Sequence, residues 1–281
     1  MIAITKAFAV PPGGVISIDH VAIRVKDAQL MMDVFAGILG LPVSWPLQSN
    51  DFATYGWVTL GNTNLEFWAA TNNSDLPGEA VLPLFHGLAL EPHNLADSIK
   101  MLGDRGIKCK APRPYITQTA DGRYATNFTN SVVLDVSSPL VCIFFCEWGL
   151  EGTIFPWKEQ FTTAQRKAKE QQQLSACGGG KLGITGLVEV EIICTRVEET
   201  KALWLAMKGN ASSEPFTEEG IELSFRAGNE DRIESVVIGV RSLATARGEL
   251  AEARLLGESH GNEISLSKKA CSGLHFRFRQ I

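Results

Sequence analysis

Residues 15–25 read Val15-Ile16-Ser17-Ile18-Asp19-His20-Val21-Ala22-Ile23-Arg24-Val25. β-Branched residues dominate and the pattern alternates at period two, so the stretch is expected to be a strand. An amphipathic run from Ala28 to Leu39 follows and stops at Gly40, the residue type that most readily ends a helix. Strand-like runs then sit at 42–46, 55–60 and 64–70. The local order is β-α-β-β-β.

The same order returns downstream. Residues 84–92, LFHGLALEP, form a strand pattern. A helix follows, with Asn94 placed to cap its start and Gly106 beyond its end. Strands are expected at 107–111, 127–136 and 140–148, and a loop over 113–123. Residues 149–180 interrupt the pattern with a polar helix over 163–174 and the run Gly178-Gly179-Gly180. This segment reads as a linker whose Lys/Arg/Gln face is solvated. Beyond it, a strand over 186–195, a helix over 197–208 and a strand over 220–228 make a third unit. A strand over 232–242, a helix over 243–256 and strands over 263–267 and 273–280 make a fourth. Four recurrences in two pairs constitute an internal repeat. The expected fold class is α+β, built of paired βαβββ units. The expected division is an extension over 1–14, a first domain over 15–150, a linker over 151–182 and a degenerate second domain over 183–281.

The bulk properties narrow the function. The 281 residues carry a net charge of −5 and are 45% hydrophobic. No basic cluster supplies the footprint of a nucleic-acid binder. The six cysteines form no C-x-x-C pair and are expected to be free thiols of a reducing compartment. No apolar run of about 18 residues is present, so no transmembrane helix is expected. The first 14 residues lack the apolar core of a leader. A cytoplasmic location is the expectation. Expected partners are a small-molecule substrate and, as an option, a second copy in a homodimer, with neither nucleic acid nor membrane.

The chemistry-bearing residues recur with the units. His20 and His86 stand in opening strands, and Glu66 and Glu147 in closing strands. An unpaired carboxylate in so apolar a context is costly. Two imidazoles and two carboxylates around one divalent cation would remove that cost. His93, His260 and His275 fall outside this constellation. In the second pair of units Glu189, Glu222, Ser235 and Arg277 or Arg279 take the corresponding places, which is no ligand set.

The segment HVAIRVKD, followed by a helix ending GILGL, together with Asn64-Leu65-Glu66, resembles the glyoxalase-like proteins of the vicinal-oxygen-chelate superfamily. The resemblance covers 15–75 and 84–148 by motif and 183–281 by topology alone. It implies two βαβββ units closing a half-open barrel around one metal: Ni, Zn, Co, Mn or Fe. It implies the ligands His20, Glu66, His86 and Glu147, with Glu147 or Glu66 as the catalytic proton carrier. Arg24, roughly 13 Å along the strand from His20, would hold a substrate carboxylate, as in glutathione-dependent relatives. Trp68, beside Glu66, and Phe145, beside Glu147, would wall the pocket, and Cys146 would face away from it. The activity implied first is a metal-dependent lyase or isomerase working through an enediolate. The second is an Fe(II) extradiol ring-cleaving dioxygenase, using His20, His86 and Glu147. The third is a metal-free binding protein of the resistance type.

Overall fold

The computed structural model describes residues 14–78, 80–118, 121–149, 162–208 and 220–281. The expected extension over 1–14 and the first part of the expected linker lie almost wholly outside these residues.

The first unit is β1 (Ser17–Arg24), α1 (Ala28–Met32, continuing as a wider π-helical turn over Asp33–Ile38), β2 (Val43–Ser49), β3 (Ala53–Thr59) and β4 (Asn64–Ala70). β4 runs parallel to β1, β3 antiparallel to β4, and β2 antiparallel to β3. The second unit repeats this with β5 (Leu84–Glu91), α2 (Leu95–Asp104), β6 (Arg113–Gln118), β7 (Tyr124–Val132) and β8 (Cys142–Trp148). β1 and β5 pair antiparallel and join the two units into one curved sheet. This is the expected paired βαβββ architecture.

Two expectations fail locally. The loop expected over 113–123 contains β6. Nearly all of β6 is exposed, so neither face carries an apolar alternation from which a strand could be read. The strand expected over 107–111 is reduced to one bridge, Cys109 to Val133.

The helix of the expected linker, α3 (Thr163–Ala176), is docked rather than solvated. Arg166, Glu170 and Leu174 are buried along one face, at i, i+4 and i+8. Two of the three glycines after it, Gly179 and Gly180, are closely packed too. Gly178, Gly179 and Gly180 all have φ between 64° and 74°, and a Cβ on Gly180 would lie 2.4 Å from the Leu39 carbonyl oxygen.

The remaining units are β9 (Ile184–Cys194), α4 (Val197–Lys208) and β10 (Glu222–Ala227), then β11 (Arg232–Val240), α5 (Leu243–Glu252), β12 (Leu256–His260), β13 (Glu263–Leu266) and β14 (Phe276–Gln280). β9 pairs antiparallel with β11, as β1 does with β5. Among the described residues the third unit keeps only β9, α4 and β10. The two halves share one hydrophobic cluster, in which Phe35 of the first meets Phe276 of the last at 4.8 Å between ring centres. They also touch through a single β5–β11 pairing, Phe85 with Ile233.

Candidate functional site

The curved sheet of the N-terminal half encloses a cavity of about 500 Å³. Its walls are aromatic: Trp45, Trp57, Trp68 and Trp148 stand there with Tyr55 and Phe144. Trp45 and Trp57 face each other across β2 and β3 and pack at 5.4 Å between ring centres. Trp148 lies 6.1 Å from Trp57 and 6.2 Å from Trp45. The polar groups reaching this space include His20, Glu66, His86, Asp75 and Asn130.

Two β-bulges aim the key side chains. Between Ile18 and His20 the β1–β5 register slips, and Asp19 is the extra residue. A bulged residue escapes strict alternation, and Asp19 Oδ1 accepts a hydrogen bond from His20 Nδ1 at 2.7 Å although the two are neighbours in sequence. The register slips again between Ala22 and Ile23, and there the extra residue is His86 of β5.

Asp19 is fully enclosed, and three groups hold it. Besides His20, the indole N–H of Trp148 donates to its Oδ2 at 3.0 Å, and the Arg166 guanidinium of α3 binds the same oxygen. Burial alone would raise the Asp19 carboxyl, but Arg166 and then His20 outweigh it and hold it well below the usual carboxylate range. An ionised Asp19 can only accept, so His20 carries its hydrogen on Nδ1 and leaves the Nε2 lone pair free. That nitrogen lies 3.5 Å from Glu66 Oε2. Glu66 shares its strand face with Trp68 and pairs across β4–β1 with Ala22. Burial pushes its carboxyl above the usual range, more than His20 pulls it down. Burial, then Arg24, pushes His86 below its ordinary value. Trp57 hydrogen-bonds the Glu66 carboxyl and His86 meets the backbone of Leu140, while Asn130 Oδ1 is buried in this cavity without a protein partner.

The expected ligand set is thus brought together only in part. His20, Glu66 and His86 line one cavity; Glu147 does not. Its Oε1 accepts the backbone N–H of Leu95 at 2.8 Å, at the first turn of α2. The cavity face of β8 carries Cys142, Phe144, Cys146 and Trp148, while Ile143 and Phe145 are fully buried beneath it. Phe145 is therefore core rather than pocket wall, and Cys146 faces the cavity rather than away from it. β8 is apolar on both faces, so the sequence could not fix which set points inward. Arg24 is committed as well. Its guanidinium donates to Asp75 at 2.8 Å and Asn73 at 2.5 Å and lies 4.4 Å from the centre of the Trp68 ring, leaving a substrate carboxylate no open approach. Trp68 lines the cavity as expected of it.

A resident metal does not fit these donors. Among the described residues no three His, Cys, Asp or Glu side chains gather as a ligand set. Glu147 serves α2 instead of the cavity, and the Asp19 bond to His20 Nδ1 leaves Nε2 as that ring's one available donor atom. The groups that sequence reasoning missed are Asp19, Arg166 and three of the cavity tryptophans, Trp45, Trp57 and Trp148. Asp19 beside His20 in β1 and the Arg166–Glu170–Leu174 spacing were the available signals.

A second groove, of about 530 Å³, opens at the seam of the two halves. Its Arg232 is tied to Glu234 at 2.7 Å and Glu230 at 2.8 Å, and among the described residues no buried side-chain polar atom there lacks a partner.

No family model matches the chain, and no curated protein matches it. Solved structures do. Homoprotocatechuate 2,3-dioxygenase from Arthrobacter globiformis superposes with a TM-score of 0.58 at 12% identity, covering 97% of this chain and 82% of that one. A hypothetical protein from Staphylococcus aureus gives 0.61 at 11%, covering 94% and 99%. Homoprotocatechuate 2,3-dioxygenase from Brevibacterium fuscum, in an anaerobic complex with 3,4-dihydroxyphenylacetate, gives 0.59 at 10%, covering 96% and 82%. The likeness is one of fold: the chain has the vicinal-oxygen-chelate fold. No helix among the described residues is long and apolar enough to cross a membrane.

Proposed function

We propose that the N-terminal cavity binds a small, flat, largely apolar molecule with polar groups on its edge, and that His20 and Glu66 move a proton on it. The reaction class is that of a lyase or isomerase. One observation carries this reading: a braced imidazole and a carboxyl raised by burial stand 3.5 Å apart inside an aromatic-walled cavity. The walls suit a planar ligand. The unpartnered Asn130 Oδ1 asks for a complementary donor on it.

His20 Nε2 takes a proton from a C–H beside a carbonyl. The C–H electron pair moves into the carbonyl to give an enolate. Glu66, which burial inclines to hold its proton, returns one to carbon or oxygen. Asp19 orients the imidazole and balances the charge that forms on it, without taking the proton itself. No step is assigned to a metal, because the donors do not form a ligand set.

The test is exchange of α-hydrogens of 2-tetralone, a flat aromatic ketone, for deuterium in D2O, followed by proton NMR. Saturable acceleration is expected, falling by about 10²–10⁴-fold in His20→Ala and unaffected by EDTA. Exchange no faster than in buffer would overturn the catalytic reading. Exchange lost with EDTA and restored by Ni, Zn, Co, Mn or Fe(II) would put a metal in the cavity instead.

A further inference from the structure

We infer that Arg166, supplied by the helix between the two halves, is a positioning residue that fixes which nitrogen of His20 faces the N-terminal cavity. The inference rests on the reading of His20 Nε2 as the working base.

Among the described residues Asp19 is the carboxylate that meets His20 Nδ1, through Oδ1, and its other oxygen is engaged elsewhere. Two groups take that second oxygen: Trp148 Nε1 at 3.0 Å and the Arg166 guanidinium. With both oxygens committed to different partners, the carboxylate cannot rotate without breaking a contact. His20 Nδ1 is then always opposite an acceptor, and Nε2 is always the free nitrogen. Remove Arg166, and the carboxylate can turn about its remaining indole contact. Both imidazole tautomers become accessible.

Arg166 is itself held from several sides. It is 3% exposed, and its guanidinium carbon lies 5.3 Å from the centre of the Trp148 ring. One turn along the same face, Glu170 accepts from Asn64 Nδ2 at 3.1 Å, where β4 begins. The neighbouring Lys167 reaches Ser17 and, at 3.3 Å, Glu91, where β1 meets β5. The helix thus grips β1, β4 and β5 beside His20. Burying an arginine and a glutamate here would be a poor way to dock a helix if packing were its only purpose, since apolar residues serve that end at lower cost.

The test is the nitrogen-15 spectrum of the His20 imidazole in the ligand-free protein, at one pH where the ring is neutral. It requires no turnover, so it stands or falls apart from the catalytic reading. Wild type is expected to show a single tautomer, protonated at Nδ1. Arg166→Met is expected to give a mixture of tautomers, and Arg166→Lys, which keeps one charged donor, to preserve the single form. Leu174→Ala loosens the same buried helix face without changing a charge and is expected to leave His20 as in wild type. If Arg166→Met fails to fold, Asp19→Asn reads the link from its other end: the amide can donate to Nδ1 and is expected to move the hydrogen to Nε2. An unchanged tautomer in Arg166→Met, or in Asp19→Asn, overturns the inference. So does an equal change in Arg166→Met and Leu174→Ala, which would make the effect one of helix docking.

Discussion

Where the N-terminal half presents His20, Glu66 and four tryptophans to an open cavity, the C-terminal half fills the corresponding concave face with ion pairs. Arg279 bridges Glu189 and Glu263, both at 2.6 Å. Arg277 bridges Glu263 at 2.9 Å and Glu191 at 3.2 Å, and Ser235 donates to Glu191 at 2.9 Å. The backbone plan is shared: β9 and β11 pair as β1 and β5 do. The difference lies in what the inward side chains ask for. Those of the second half satisfy one another. Those of the first line an open cavity and leave Asn130 Oδ1 buried there without a protein partner. One fold therefore supports a self-complementary plug in one copy and a receptive site in the other.

The largest effect that could break this contrast is in the plug. Arg279→Met takes from Glu189 its near cation and from Glu263 one of two, leaving Ser224 and Arg277 as their partners, and is expected to cost about 2 kcal/mol in chemical denaturation. A loss below about 1 kcal/mol would mean that solvent, rather than ion pairing, satisfies those glutamates. Glu147→Ala sharpens the boundary of the site. It removes an acceptor at the start of α2 and is expected to cost about 1 kcal/mol, while 2-tetralone binding measured by tryptophan quenching stays as in wild type. Weakened binding would return Glu147 to the cavity.

The smallest effect is one of pH. Because burial raises the Glu66 carboxyl, folding favours its protonated form. That contribution is complete below its ordinary 4.5 and is lost as pH rises through the raised value. Glu66→Gln cannot ionise, so its stability relative to wild type is expected to climb as pH rises above about 4.5. A difference that is flat from pH 4 to 8 would contradict the raised value.

β1 was legible from its β-branched side chains, and β4 and β5 from short apolar runs bounded by turn residues; β1 and β4 bring His20, Glu66 and Trp68 to the cavity. β6 was not, since an exposed edge strand has no buried face to mark its period. Glu147 was misplaced for the opposite reason: β8 is apolar on both faces, and either register reads equally well. Helix α3 looked solvated because its charges are numerous. Which of them meet a buried partner depends on Asp19 and Asn64, more than a hundred residues earlier. The two bulges are set by pairing between strands and leave no local trace in composition.

The measurement closest to the central claim is a crystal structure of the protein with 2-tetralone at a concentration that saturates tryptophan quenching. The account predicts the ketone between Trp45, Trp57 and Trp148, its oxygen within hydrogen-bonding reach of Trp57 Nε1 or Glu66. Density in the seam groove or among Arg277, Arg279 and Glu263, with the tryptophan-walled cavity empty, would contradict it.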